Sequence, residues 1–221
     1  MPRAFSLSLL LIIMTPASAA QSTNILHLIV DDLRSDALGV YSPTAPRVTP
    51  YLDALAADAD AFVFSHAYVQ EAVCSPSRNS FLSGLRPDST RAWNFKSSFR
   101  DSHPEWVPLP QALKLAGWRT LGMGKVYHPG QPALSDWPAS WTADYYNCSS
   151  PSASTCNSSW TVYGGASDVQ WCASDWPDDA FCDGDLARRA VELLGGFAAE
   201  AEGSAPPWCL PPPRRAPPTA P

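Results

Sequence analysis

Beyond its first twenty residues the sequence contains no apolar run of the length, about twenty residues, that a membrane-spanning helix needs. It has no basic stripe either. Lys and Arg together number 15 against 21 Asp and Glu, a net charge of -6, which excludes a phosphate-neutralising nucleic-acid surface. The six cysteines form no C-x2-C pair, and no histidine lies near the four that cluster, so a zinc site is not expected among them. No internal repeat is evident. Lysine stops at Lys125 and histidine at His128.

What is present is 221 residues, 45% of them apolar, enough for one domain with a core or for part of a larger one. Residues 1–20 read as a secretory signal: Arg3 gives the positive start, Leu7 to Met14 the apolar run, and Ala17-Ser18-Ala19-Ala20 a small-residue cleavage site. The expected location is therefore the secretory pathway, lysosomal or extracellular. Cysteines then suit an oxidising compartment. Cys148, Cys156, Cys172 and Cys182 fall in a segment, 145–182, rich in Ser, Asn, Trp and Asp and without clear periodicity. We expect two disulfides there, with three connectivities open. The same stretch carries glycosylation sequons at Asn147 and Asn157.

Strands alternate with helices along the chain. "NILHLIV" and "AFVFSHAYV" read as strands, and "RTLGMGK" as a third. Helices are expected from Pro50 behind a Thr49 cap, with Leu52, Leu55 and Ala59 on one face; from Pro76 to Gly84; and from about Pro110 to Ala116, before Gly117. The stretch "DGDLARRAVELLGGFAAEAEG" gives a further helix with Leu186, Ala190, Leu193 and Phe197 on one face, weakened by Gly195 and Gly196. This order implies an α/β fold with a largely parallel sheet. Half of residues 206–221 are proline, and the tail from 201 to 221 is expected to be extended or disordered.

Three places could carry chemistry. Asp31-Asp32 ends the first strand, where two adjacent carboxylates need a positive partner such as a hard divalent cation. A solvated turn beside Arg34 is the plainer alternative. Cys74, at the start of a helix with Arg78 one turn on, is placed to react or to be modified, although a disulfide to Cys209 would also account for it. In "GMGKVYHPG", glycines bracket Lys125 and His128, a cation and a possible proton donor on backbone free to approach a ligand.

Together these stretches resemble the sulfatase family. "CSPSR" followed by "NSFLSG" is similar to the family signature whose cysteine is oxidised to formylglycine during secretion; "GWRTLGMGKVYH" is similar to its second signature and "NILHLIVDDLR" to its metal-binding first strand. The resemblance runs from about Asn24 to Gly130 and implies an alkaline-phosphatase-like fold, a mixed, largely parallel sheet flanked by helices. It implies removal of sulfate from a sulfated glycan, with Ca2+ held by Asp31, Asp32 and the formylglycine derived from Cys74. A formylglycine-generating enzyme is the implied partner in maturation. In that scheme the hydrated formylglycine attacks sulfur with one hydroxyl, and the other helps expel sulfate as the aldehyde reforms. Lys125 would hold sulfate oxygens, Arg78 would orient the formylglycine, and His128 would assist its proton transfers.

The family pattern also includes a second metal-binding pair (aspartate followed by histidine or asparagine) and another lysine and histidine. None of these follows His128 here, and no Asp-His or Asp-Asn pair occurs. The expectation is an N-terminal portion of the catalytic domain over 21–200, incomplete in this chain and arising by truncation or mis-splicing. Two rivals remain: a non-catalytic secreted glycoprotein, and a phosphohydrolase of the same superfamily, against which the C-x-P-S-R context weighs.

Overall fold

The structure, a computed structural model, describes residues 24–42, 44, 49–130, 133–148, 177–200 and 208–210. The signal segment 1–20, Asn157, Cys156 and Cys172 lie outside the described residues, as does the tail beyond Leu210.

Three short strands form one parallel sheet. Strand β1 is Ile25–Leu26, β2 is Arg119–Thr120 and β3 is Trp208–Leu210, in the spatial order β1-β3-β2. Ile25 faces Cys209 and Thr120 faces the same residue from the other side, so Cys209 sits at the centre of the sheet and is buried. Burial pushes its thiol pKa up to about 11. The proline-rich composition of 201–221 predicts an extended or disordered tail. Residues 208–210 are extended and also join the sheet, because Trp-Cys-Leu is a proline-free triplet whose backbone donors can enter a ladder.

Six helices accompany the sheet among the described residues: α1 (Pro50–Ala56), α2 (Cys74–Ser83), α3 (Pro87–Thr90), α4 (Phe99–Ser102), α5 (Leu109–Leu115) and α6 (Cys182–Glu200). Helix α2 begins two residues earlier than its proline suggested. Cys74 is its first residue and Pro76 falls within its first turn, where a missing N–H costs no helical bond. Helix α1 ends before Ala59, and its apolar residues Leu52 and Leu55 are exposed rather than packed. The segment 61–69, expected as a strand, forms no ladder with any described residue, and Phe62, Phe64 and Tyr68 lie open to solvent. β propensity alone does not make a strand without a neighbour to complete its ladder.

One core cluster joins Leu82 of α2 and Phe99 of α4 to Val126, Tyr127 and Trp141. A second joins Met123 to Leu186 and Ala190 of α6, with Leu193 packed against it. The α6 face read from the sequence is the face that packs. Helix α2 is different, because its buried residues include Ser75, Arg78, Asn79 and Ser80. Hydrogen bonds rather than an apolar stripe hold it: the Asn79 side chain donates to the Ser75 carbonyl at 2.8 Å and accepts from the Phe99 N–H at 2.9 Å, tying α2 to α4.

A buried polar hub fixes the far side of the same core. Arg100 of α4 donates both Nε and Nη2 to the Asp136 carboxylate at 2.9 Å. Its remaining N–H groups reach the Pro104 and Trp106 carbonyls and Gln111. Asp136 also accepts from the hydroxyl of Ser140 at 2.5 Å. This bidentate arrangement suits the planar guanidinium fork.

Candidate active site

In a parallel sheet, ligands gather beyond the carboxyl ends of the strands. Asp31 and Asp32 follow β1 there, and Lys125 follows β2. The two aspartates part company. Asp31 is buried, whereas Asp32 takes a left-handed backbone (φ +56°) and its side chain is exposed. Aspartate tolerates that conformation better than most residues.

Asp31 is the charge centre. Arg78 donates to its Oδ1 at 2.6 Å and Lys125 donates to its Oδ2 at 2.5 Å, and all three side chains are almost wholly buried. Burial alone would raise the Asp31 pKa. The hydrogen bonds from Lys125 and Arg78 outweigh it and hold the carboxyl below its ordinary value. Arg78 also donates through Nη1 to the carbonyls of Lys125 and of Val126, the latter at 2.9 Å. Helix α2 thus grips the Lys125 loop by its backbone. The Arg78 Nε is buried without a hydrogen-bond partner among the described residues.

The Cys74 thiol, half-buried, points at the exposed carboxylate and donates to Asp32 Oδ1 at 3.8 Å. Neither Cys74 nor Cys209 is in a disulfide. One ligand atom from each of Asp31, Asp32 and Cys74 lies within 4.8 Å of the others. Two carboxylates suit a hard cation such as calcium. The thiol is the mismatch, because sulfur is a soft donor. An oxygen-bearing group derived from Cys74 would complete a hard-donor set.

His128 lies three residues beyond Lys125. Its Nδ1 donates to the Pro129 carbonyl at 3.1 Å, which leaves Nε2 as the acceptor of the neutral ring. Burial, then the charge of Lys125, keeps its pKa below the usual imidazole value. The Phe95 ring packs against it, with centroids 4.8 Å apart. The loop between Gly122 and His128 needs its glycines. A Cβ at Gly122 would come within 2.6 Å of the Tyr145 ring and 2.7 Å of Trp141, and Gly124 has φ +68° immediately before Lys125. Sequence reasoning missed Phe95, Trp141 and Tyr145, since no motif links these positions to the loop.

Cys148 is bonded to Cys182, one of the pairings that the sequence leaves open. It joins the 145–148 segment to the start of α6 across 34 residues of sequence. Asn147, beside it, is exposed.

The described residues thus bring together a buried Asp31-Arg78-Lys125 ion cluster and a cysteine beside two carboxylates. The sulfatase family model matches residues 23–174, and the chain belongs to that family. It is 43% identical to mouse iduronate 2-sulfatase over 135 residues and 42% identical to the human protein of that name; each alignment covers 60% of this chain and 24% of the relative. It is 32% identical to pig N-acetylgalactosamine-6-sulfatase over 54% of this chain and 26% of that protein. The chain thus spans about a quarter of the length of these relatives.

Proposed function

We propose that this site hydrolyses sulfate esters of a sulfated glycan, in the manner of iduronate 2-sulfatase. The observation that carries the reading is the convergence of Cys74 with Asp31 and Asp32, backed by Arg78 and Lys125 on the same buried carboxylate. Asp31 and Asp32 would hold calcium. When present, calcium and a formylglycine at position 74 would supply, respectively, polarisation of the sulfate and an oxygen nucleophile. The other roles belong to this chain's own side chains. Lys125, buried and paired with Asp31, would bind sulfate oxygens and stabilise the charge that grows on them. Arg78 neutralises Asp31 and anchors the Lys125 backbone. His128, with Nε2 as the acceptor nitrogen of its neutral ring, is suited to accept a proton near the reacting oxygens.

The alkaline-phosphatase-like sheet, largely parallel and flanked by helices, is the architecture this reading supposes around β1, β2 and β3. It also supposes entry into the secretory pathway, encounter there with a formylglycine-generating enzyme, and a lysosomal or extracellular destination. Glycans at Asn147 and Asn157 and a second disulfide between Cys156 and Cys172 fit the same route. No helix among the described residues is long and apolar enough to cross a membrane.

A second reading, a secreted glycoprotein that keeps the site without turnover, is favoured by one observation. Among the described residues Asp31, Asp32 and Cys74 offer three ligands, where calcium takes about six to eight. Sulfate release from a sulfated disaccharide decides between the two. The parent chain from secreting cells should release sulfate and Cys74→Ala should not; equal signals from both would remove the hydrolase reading.

A further inference from the structure

The placement of Lys125 depends on a residue outside every motif. The Tyr145 hydroxyl donates to the Gly124 carbonyl at 2.6 Å and accepts from the Val126 N–H at 3.2 Å. Those two groups belong to the peptide units on either side of Lys125, so one hydroxyl bridges the backbone across that residue. The ring behind it is held too. It packs on Trp141 at 5.7 Å between centroids, and its edge fills the space over Gly122. From the other side, Arg78 holds the carbonyls of Lys125 and Val126.

We propose that Tyr145 is a positioning residue for Lys125, fixing its backbone so that the buried ammonium reaches Asp31 and, on the reading above, the sulfate. The role rests on that reading only for its last step, because the bridge and the ion pair exist whatever the substrate is. Loss of the hydroxyl leaves a carbonyl and an N–H of the loop without this partner, and the loop then has reason to move. The next residue gives a matched control. Tyr146 donates its hydroxyl to Asp185 at 2.7 Å, away from Lys125.

The three lysines of the chain make the test independent of turnover. Lys96 is exposed. Lys114 donates to the Pro138 and Trp141 carbonyls and so reports general opening of the core. Lys125 is buried and paired to Asp31. Full-length parent, Tyr145→Phe and Tyr146→Phe proteins are labelled with a water-soluble amine-acylating ester, and modification of each lysine is followed by peptide mass spectrometry. Tyr145→Phe should raise labelling at Lys125 by about five- to tenfold, the factor that one net hydrogen bond represents, and leave Lys96 and Lys114 unchanged. Tyr146→Phe should change none of the three. Lys125 labelling equal to the parent, or a rise shared equally by Lys114, would overturn the proposal. Failure of the parent to release sulfate would instead count against the hydrolase reading and leave this result standing.

Discussion

Lys125 and Asp31, 94 residues apart in sequence, meet as a buried ion pair at 2.5 Å. Arg78 occupies the other oxygen of the same carboxylate. One anion thus offsets two buried cations, and Asp31 is as much a structural keystone as a candidate metal ligand.

The neighbouring aspartates should therefore respond differently to the same substitution. Asp31→Asn leaves Arg78 and Lys125 buried without their counter-charge and should destabilise the fold by about 3–5 kcal/mol. Asp32→Asn changes an exposed side chain at a left-handed position that asparagine also tolerates, and should alter stability by no more than about 0.5 kcal/mol. Denaturant unfolding of the two variants beside the parent reads the difference. Similar losses in both would show that the burial contrast between them is misplaced.

The pH dependence follows with its sign. The Asp31 carboxyl lies below its ordinary 3.8 in the folded protein. Its contribution is then complete above that ordinary value and is lost as pH falls through the lowered one. Acid unfolding of the parent should carry this component, and Asp31→Asn should lack it over the same range. An unchanged acid transition in the variant would contradict the assignment.

Arg100 should behave as a structural cation without catalytic consequence. Replacing it with alanine leaves the buried Asp136 carboxylate short of two donors, a loss of roughly 3 kcal/mol. Lysine should restore only part of this, because a single ammonium cannot reproduce the fork. Thermal unfolding of Arg100→Ala and Arg100→Lys tests it, and full recovery in the lysine variant would argue against the bidentate geometry.

The Cys148–Cys182 bond closes a loop across 34 residues of sequence. On the chain-entropy account a loop of that size contributes about 4 kcal/mol by restricting the unfolded chain. Replacing both cysteines with serine should lower the unfolding midpoint accordingly, and α6, which the bond joins to residues 145–148, should lose amide protection first. Uniform loss across the molecule would place the bond's effect elsewhere.

Much of the site was legible in the sequence because its parts are contiguous. Asp31-Asp32, Cys74 with Arg78, and Lys125 with His128 each sit in one short stretch, and a strand end or a helical turn places each one. Helix α5 and the packed face of α6 were legible for a related reason, since periodicity and a glycine stop are local signals. The rest depends on partners that no local pattern names. Tyr145 reaches the Lys125 loop across about twenty residues, and Arg100 reaches Asp136 across 36. Segment 61–69 has strand-forming residues but forms no ladder with any described residue. Trp208–Leu210 has an unpromising setting and two neighbours, and it becomes the central strand.

The central claim concerns the chemical state of Cys74, and the mass of its peptide tests it most directly. In protein recovered from secreting cells, the peptide containing Cys74 should be lighter than the encoded sequence by about 18 Da, the change from a thiol to an aldehyde. A peptide at the encoded mass, or one joined through Cys74 to Cys209, would contradict the account.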